Sequence, residues 1–231
     1  MGTARHSARR SPSMPTDGVT KVVVDITMSL DGFVAGPEPT LEEPLGRNGE
    51  RLHEWALESA SWREQHGLSG GETNVDSELI EEATSSAGGY VMGRKMFSGG
   101  SGGWEDDPRA GGWWGDEPPF HRPVFVVTHH QREPLELKGT TFTFVTEGVE
   151  RAVELARSAA DGGNVAVSGG GSTVQQAVQA GLVDELQVHV APILLGGGTR
   201  LFGEVDEPLA LEATRVVASP KATHLRFSVR R

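Results

Sequence analysis

The chain of 231 residues contains no cysteine. That excludes a disulfide-stapled scaffold, a thiol nucleophile and thiolate-held zinc or iron–sulfur centres. It also lacks an apolar run of the roughly 18 residues that a membrane-crossing helix needs, so no membrane partner is expected. Cations are the minority charge: 21 Lys and Arg against 32 Asp and Glu give a formal net charge of −11. An acidic surface of that kind argues against nucleic acid as a partner. Neither a Gly-Lys pair nor a GxGxxG spacing occurs, so the P-loop and the common dinucleotide fingerprint are excluded. The eight histidines form no i, i+4 pair, so no metal site is expected.

What the chain has in excess is glycine. Its 31 glycines are nearly twice the usual share of about 7%. Glycine clusters between strand-like and helix-like segments allow a backbone to approach a ligand closely. Residues 1–18 carry Arg5, Arg9 and Arg10 with no apolar run behind them, so they read as a disordered tail rather than a secretory signal. Residues 19–231 read as one domain, with the cytoplasm as the expected location.

Hydrophobic patterning orders the elements. Val19–Ser29 reads as a buried strand and Glu50–Gln65 as a helix. Ser77–Ser86 reads as a second helix capped by Asp76. Strands follow at Gly89–Met92, Pro123–Thr128 and Thr140–Thr146, with a long Gly/Trp loop over Ser98–Pro119. Val149–Ala160 is an amphipathic helix, Asn164–Val167 a strand, Thr173–Ala180 a helix and Glu185–Ala191 a strand. Leu209–Val217 and His224–Val229 close the chain as a strand pair. Alternating strands and helices predict an α/β fold with a mixed, mostly parallel sheet and an antiparallel C-terminal edge.

The strongest local signal is strand, then Ser168-Gly169-Gly170-Gly171-Ser172, then helix. Amides at a helix start, with the positive end of its dipole, suit a phosphate. Gly93-Arg94-Lys95 and Thr128-His129-His130 also follow strands. Ligands of open α/β sheets sit beyond the strand C-termini, so these three loops suggest a polyanionic nucleotide. Asp31, after the first strand, is a turn aspartate placed at the same edge. Two GxSxG matches, at Gly67–Gly71 and Gly99–Gly103, follow no strand and make no nucleophile elbow. Trp104, Trp113 and Trp114 either stack on a flat ring or pin the long loop.

The segments MSLDGFVAG (28–36), YVMGRKMF (90–97), PVFVVTHH (123–130) and VAVSGGGSTVQQAVQAGLVDELQVHVAPILLGGGTRLF (165–202) together resemble the dihydrofolate reductase-like family. More narrowly, they resemble the reductase half of the riboflavin-biosynthesis deaminase/reductase. The resemblance implies a three-layer α/β/α fold, NADPH as hydride donor, a small heterocyclic substrate of pterin or ribosylaminopyrimidine type, and a homodimer. By position it assigns Gly93, Arg94 and Lys95 to the adenosine-phosphate side of NADPH. Thr128, His129 and His130 fall at the 2′-phosphate end, Ser168, Gly169, Gly170, Gly171 and Ser172 at the pyrophosphate, and Ala35 and Gly36 beside the nicotinamide. Asp31, Glu54 and Glu58 are its substrate-side candidates; the proton donor is unassigned. The riboflavin reductases commonly carry a Glu at the position of Ser168 and an Asp near that of Gly88, and this chain does not. A binding protein for a nucleotide, flavin or pterin on the same fold is the alternative.

Overall fold

The computed structural model describes residues 20–203 and 207–230; the tail expected at 1–18 lies outside them. The first strand, β1 (Val22–Ser29), is followed by a short β2 (Phe33–Ala35). The expected helix over 50–65 is three pieces: a 3₁₀ turn at Gly49–His53, then α1 (Glu54–Leu57) and α2 (Ala60–Gln65). The break is local chemistry. The Ser59 side chain accepts from the Trp62 amide at 3.2 Å and starts a new helix there. The next helix, α3 (Val75–Ser86), is capped by Asn74 rather than Asp76. Asp76 is released for a different role.

Strand β3 (Ala87–Gly93) leads into α4 (Arg94–Ser98). The long loop carries no regular element before β4 (Val124–Val127). Then come β5 (Leu135–Leu137), β6 (Thr140–Val145), α5 (Val149–Ala159), β7 (Asn164–Gly169) and α6 (Gly171–Gln179). The chain closes through β8 (Glu185–Ala191), β9 (Thr199–Arg200), β10 (Leu211–Ala218) and β11 (Thr223–Val229).

Nine strands form one sheet in the order β10-β11-β8-β1-β7-β3-β4-β6-β5, and β2 pairs with β9 separately. Strands β8, β1, β7, β3, β4 and β6 run parallel. Strand β5 at one edge and the β11–β10 pair at the other are antiparallel. The sheet is mixed and mostly parallel with an antiparallel C-terminal edge, as its patterning predicts.

Alternation divides the sheet into two faces. Val22 and Val24, Val165 and Val167, and Leu186 and Val188 join Val153, Ala156, Val174 and Ala177 of α5 and α6 in an apolar core. The opposite face holds an aromatic cluster over β3, β4 and β6, built from Tyr90, Phe97, Phe142 and Phe144. Trp104 seals it, 4.8 Å from the Phe144 ring, with its indole donating to the His130 carbonyl at 2.7 Å. That loop tryptophan is a pin. Among the described residues no helix is long and apolar enough to cross a membrane.

Candidate functional site

Because β1, β7, β3 and β4 are parallel, their C-terminal ends share one edge. The topology brings Asp31, Ser168–Ser172, Gly93–Lys95 and Thr128–His130 to that edge. The two glycine turns pack against each other there. A Cβ on Gly93 would stand 2.5 Å from the Thr173 hydroxyl, so only glycine fits. A Cβ on Gly170 would meet nothing within 4 Å. Gly170 is the N-cap of α6 and supplies no side-chain cap. The Gly171 and Ser172 amides at the start of α6 have no acceptor within the helix, whereas the Thr173 amide donates to the Gly170 carbonyl at 3.0 Å. Ser172 is exposed beside this open cradle. The β2–β9 ribbon forms the neighbouring wall: a Cβ on Gly171 would touch Val34 and Thr199, and Ala35–Gly36 lies against Gly198 and Arg47.

The other expected residues take varied positions. Arg94 is buried, its guanidinium 2.6 Å from the Asp107 carboxylate. It donates to Ser98 and sits 3.3 Å from the centre of the Trp104 ring. Burial alone would raise Asp107, but Ser98, the Arg109 amide and Arg94 hold its carboxyl below the usual range. Lys95 and His129 are exposed and His130 is half-buried. Thr128 is buried and accepts from the His130 amide at 3.2 Å. Asp31 is a clamp: it accepts from Ser29 Oγ at 2.6 Å and from the Leu195 and Gly196 amides at 3.1 and 2.7 Å. Those bonds, Ser29 first, lower its pKa to about 2. Glu54 pairs with Arg51 and Glu58 with Lys221, both on the outer surface.

Behind the edge lies a cavity of about 600 Å³ between the sheet and the helices α1–α3. Its floor is polar because alternate residues of three strands are polar. Register aligns them in two rows: Asp25, Gln187 and Arg226 in one, Thr27, His189 and His224 in the next. Gln187 donates to Asp25 at 3.2 Å and accepts from Arg226 at 2.7 and 3.0 Å. The walls are aromatic: Trp55, Trp62, Tyr90, Trp114 and Phe120. Ser168 and Met96 also line the cavity, so it opens toward the Gly170 cradle.

Two buried polar atoms on this lining, His53 Nδ1 and Trp114 Nε1, have no hydrogen-bond partner. Such atoms are rare unless a ligand or water meets them. Burial, reinforced by the neighbouring His189, lowers the His53 pKa to about 4, so the ring is neutral at pH 7. Burial, then the Asp25 charge, push the Tyr90 phenol up to about 12. The cavity thus offers neutral donors beside the Asp25 carboxylate, with the Lys21–Glu185 and Arg226–Glu82 ion pairs also on its lining. This lining went unread in the sequence. The signal was the period of two in VDITMS, LQVHVA and THLRFS, where a polar residue alternates with each apolar one.

The model of the RibD C-terminal domain matches residues 20–225. The chain belongs to the RibD C-terminal domain family. Several solved structures share its fold. A riboflavin biosynthesis protein from Shewanella sp. PV-4 is 22% identical with a TM-score of 0.59, covering 92% of this chain and 100% of that one. A pyrimidine reductase-like protein from Corynebacterium diphtheriae is 15% identical with a TM-score of 0.55, covering 92% of each chain. The deaminase/reductase of Thermotoga maritima is 13% identical with a TM-score of 0.52; 91% of this chain matches 57% of that longer one. No curated protein matches the chain. Gly88 has no room for any side chain, since a Cβ there would stand 2.0 Å from the Ala160 carbonyl.

Proposed function

We propose that the protein is an NADPH-dependent reductase of a small planar heterocycle. One observation carries this reading: the cavity and the Gly170 cradle meet at Ser168 and Met96. A dinucleotide anchored by its pyrophosphate at the start of α6 would lie along the strand ends. Its reactive ring would then reach the cavity mouth between Ala35 and Ser168. The bound cofactor supplies hydride chemistry; the protein supplies position and a dry, shaped cavity. Trp55, Tyr90 and Trp114 suit the flat faces of a ring, and His53, Gln187 and Asp25 suit its edge. The missing acids at Ser168 and Gly88 favour a substrate without the sugar phosphate of the riboflavin pathway. Since Arg94 is spent on Asp107, preference for the 2′-phosphate falls to Lys95, His129 and His130.

The test is a titration with NADPH and NADH, followed by tryptophan quenching and nicotinamide emission. Wild type should prefer NADPH. Gly170→Ala should weaken both cofactors at least tenfold with unchanged melting, because its methyl fills the cradle and touches no protein atom. Equal affinity in wild type and Gly170→Ala would remove the cofactor from this edge. A screen of pterins and ribosylaminopyrimidines then identifies the acceptor.

A further inference from the structure

Four titratable side chains that the sequence reading assigned to no site form a continuous chain beneath the cavity. His189 Nε2 lies 3.0 Å from Asp25, His189 Nδ1 lies 2.7 Å from His224 Nδ1, and His224 Nε2 lies 2.8 Å from Asp76. Asp76, His189 and His224 are 2–3% exposed; Asp25, 27% exposed at its side chain, faces the cavity. Trp55 covers both imidazoles, 4.4 Å from His189 and 5.1 Å from His224, and fixes itself by donating to Thr27 at 3.1 Å.

Hydrogen-bond arithmetic gives the charge of this chain. Each bond between two heavy atoms contains one proton, so three bonds contain three. Two neutral imidazoles between two carboxylates supply two. The relay holds one more. Charge balance requires it as well, because among the described residues no Lys or Arg lies within ion-pair distance of Asp25 or Asp76. A carboxylate as buried as Asp76 needs a counter-charge. The surrounding charges are committed elsewhere: Arg226 to Gln187 and Glu82, Arg215 to Glu82, and Lys21 to Glu185. His53, from the 3₁₀ turn, is neutral, and Tyr90, from β3, keeps its proton. Burial and the neighbouring His189 hold His224 below the usual histidine range. The extra proton is therefore placed by the bond geometry, on the Nε2 of His189 that meets Asp25.

We propose that Asp25, His189, His224 and Asp76 store one proton beneath the cavity and deliver it through Asp25 to a base bound there. In use this rests on the reductase reading. As the acceptor carbon takes a hydride from the reduced nicotinamide dinucleotide, which leaves oxidised, the adjacent nitrogen must take a proton. The Nε2 proton of His189 passes to Asp25 and on to that nitrogen. His189 is left neutral, its Nδ1 proton still shared with His224, and solvent refills the relay after product leaves. Asp25 is the catalytic group. His189, His224 and Asp76 are positioning residues that act through it.

The test uses the full chain without any nicotinamide, so it remains readable if NADPH fails to bind. Nitrogen-15 shifts of the two imidazoles and carbon-13 shifts of the two carboxyls count the protons from pH 5 to 9. Three protons are expected at pH 7; two protons at pH 7 would overturn the proposal. Delivery is read with 2,4-diaminopyrimidine, a planar base whose ultraviolet spectrum changes on protonation. At a pH where the free base is neutral, the wild-type complex should show the protonated spectrum. Asp25→Asn should abolish it and Asp25→Glu restore it. Asp76→Asn, remote from the cavity, should also lose the protonated spectrum while the base still binds. A neutral base bound to wild type, or an unchanged spectrum in Asp76→Asn, would end the relay's role.

Discussion

The two faces of the central sheet come from the same strands and behave as different materials. On one face β1 presents Val22, Val24 and Ile26 to α5 and α6, and nothing but hydrocarbon meets hydrocarbon. One residue along, Asp25 and Thr27 face the cavity with Gln187, His189 and Arg226, and His224 lies buried beside His189. Stability on the first face comes from filled volume. On the second it comes from pairing charges and hydrogen bonds, and wherever pairing is incomplete the face is free to bind. The polar side is itself divided. Around Arg94, Asp107 and Ser98 the charges answer one another, although the Arg94 Nε finds no acceptor; on the cavity lining His53 and Trp114 each leave one polar atom open.

Four substitutions would break or sharpen this contrast. The largest loss is expected for Arg94→Ala, which leaves Asp107 buried and unpaired, at about 3–5 kcal/mol; urea unfolding measures it. A loss under about 1 kcal/mol would mean that Arg94 is not committed to the fold and remains available to a phosphate. Leu186→Ala, on the apolar face, should cost about 2–5 kcal/mol through cavity formation. That loss should not change with pH, which would separate volume from charge.

Histidine 53 contributes next. Its folded pKa of about 4 lies below the unfolded 6.5. The stability it supports is therefore complete above pH 6.5 and is lost as the pH falls from 6.5 to 4, by about 3 kcal/mol. His53→Phe should flatten that window in urea titrations run across it, and should reduce binding of a cavity ligand. If the wild-type profile is already flat there, the ring is not buried neutral. Asp31 should show the smallest change. Its depressed pKa means that the clamp on Leu195 and Gly196 is intact above pH 4 and opens only as the pH approaches 2. Amide exchange at Gly196 tests this, and Asp31→Asn should accelerate that exchange at pH 7 while leaving global unfolding nearly unchanged.

Much of this molecule is legible in its sequence. Strand β8 falls at Glu185–Ala191 as its pattern predicts, and the parallel strands bring the strand-end glycine turns to one sheet edge. The difficulties are instructive. The helix expected at 50–65 follows a correct apolar period, yet Ser59 interrupts it because a local side-chain bond outcompetes continuation. Glu54 and Glu58 had the right chemistry for a substrate acid but the wrong helix face. Arg94 stands in the right turn, but the distant Asp107 claims it. The strand expected at Val19–Ser29 reads as buried on its apolar residues; it forms at Val22–Ser29, and the alternate Asp25 and Thr27 line the cavity.

The sequence by itself determined the element order, the α/β class, the glycine turns and the family, because these follow from periodicity and short-range geometry. Tertiary structure alone decided which carboxylate meets which cation. It also joined Asp25 to His189, 164 residues away, and His224 to Asp76, 148 residues away. Strand register sets those meetings. Register depends on how distant strands align to bury their common apolar face, and no local pattern contains that information.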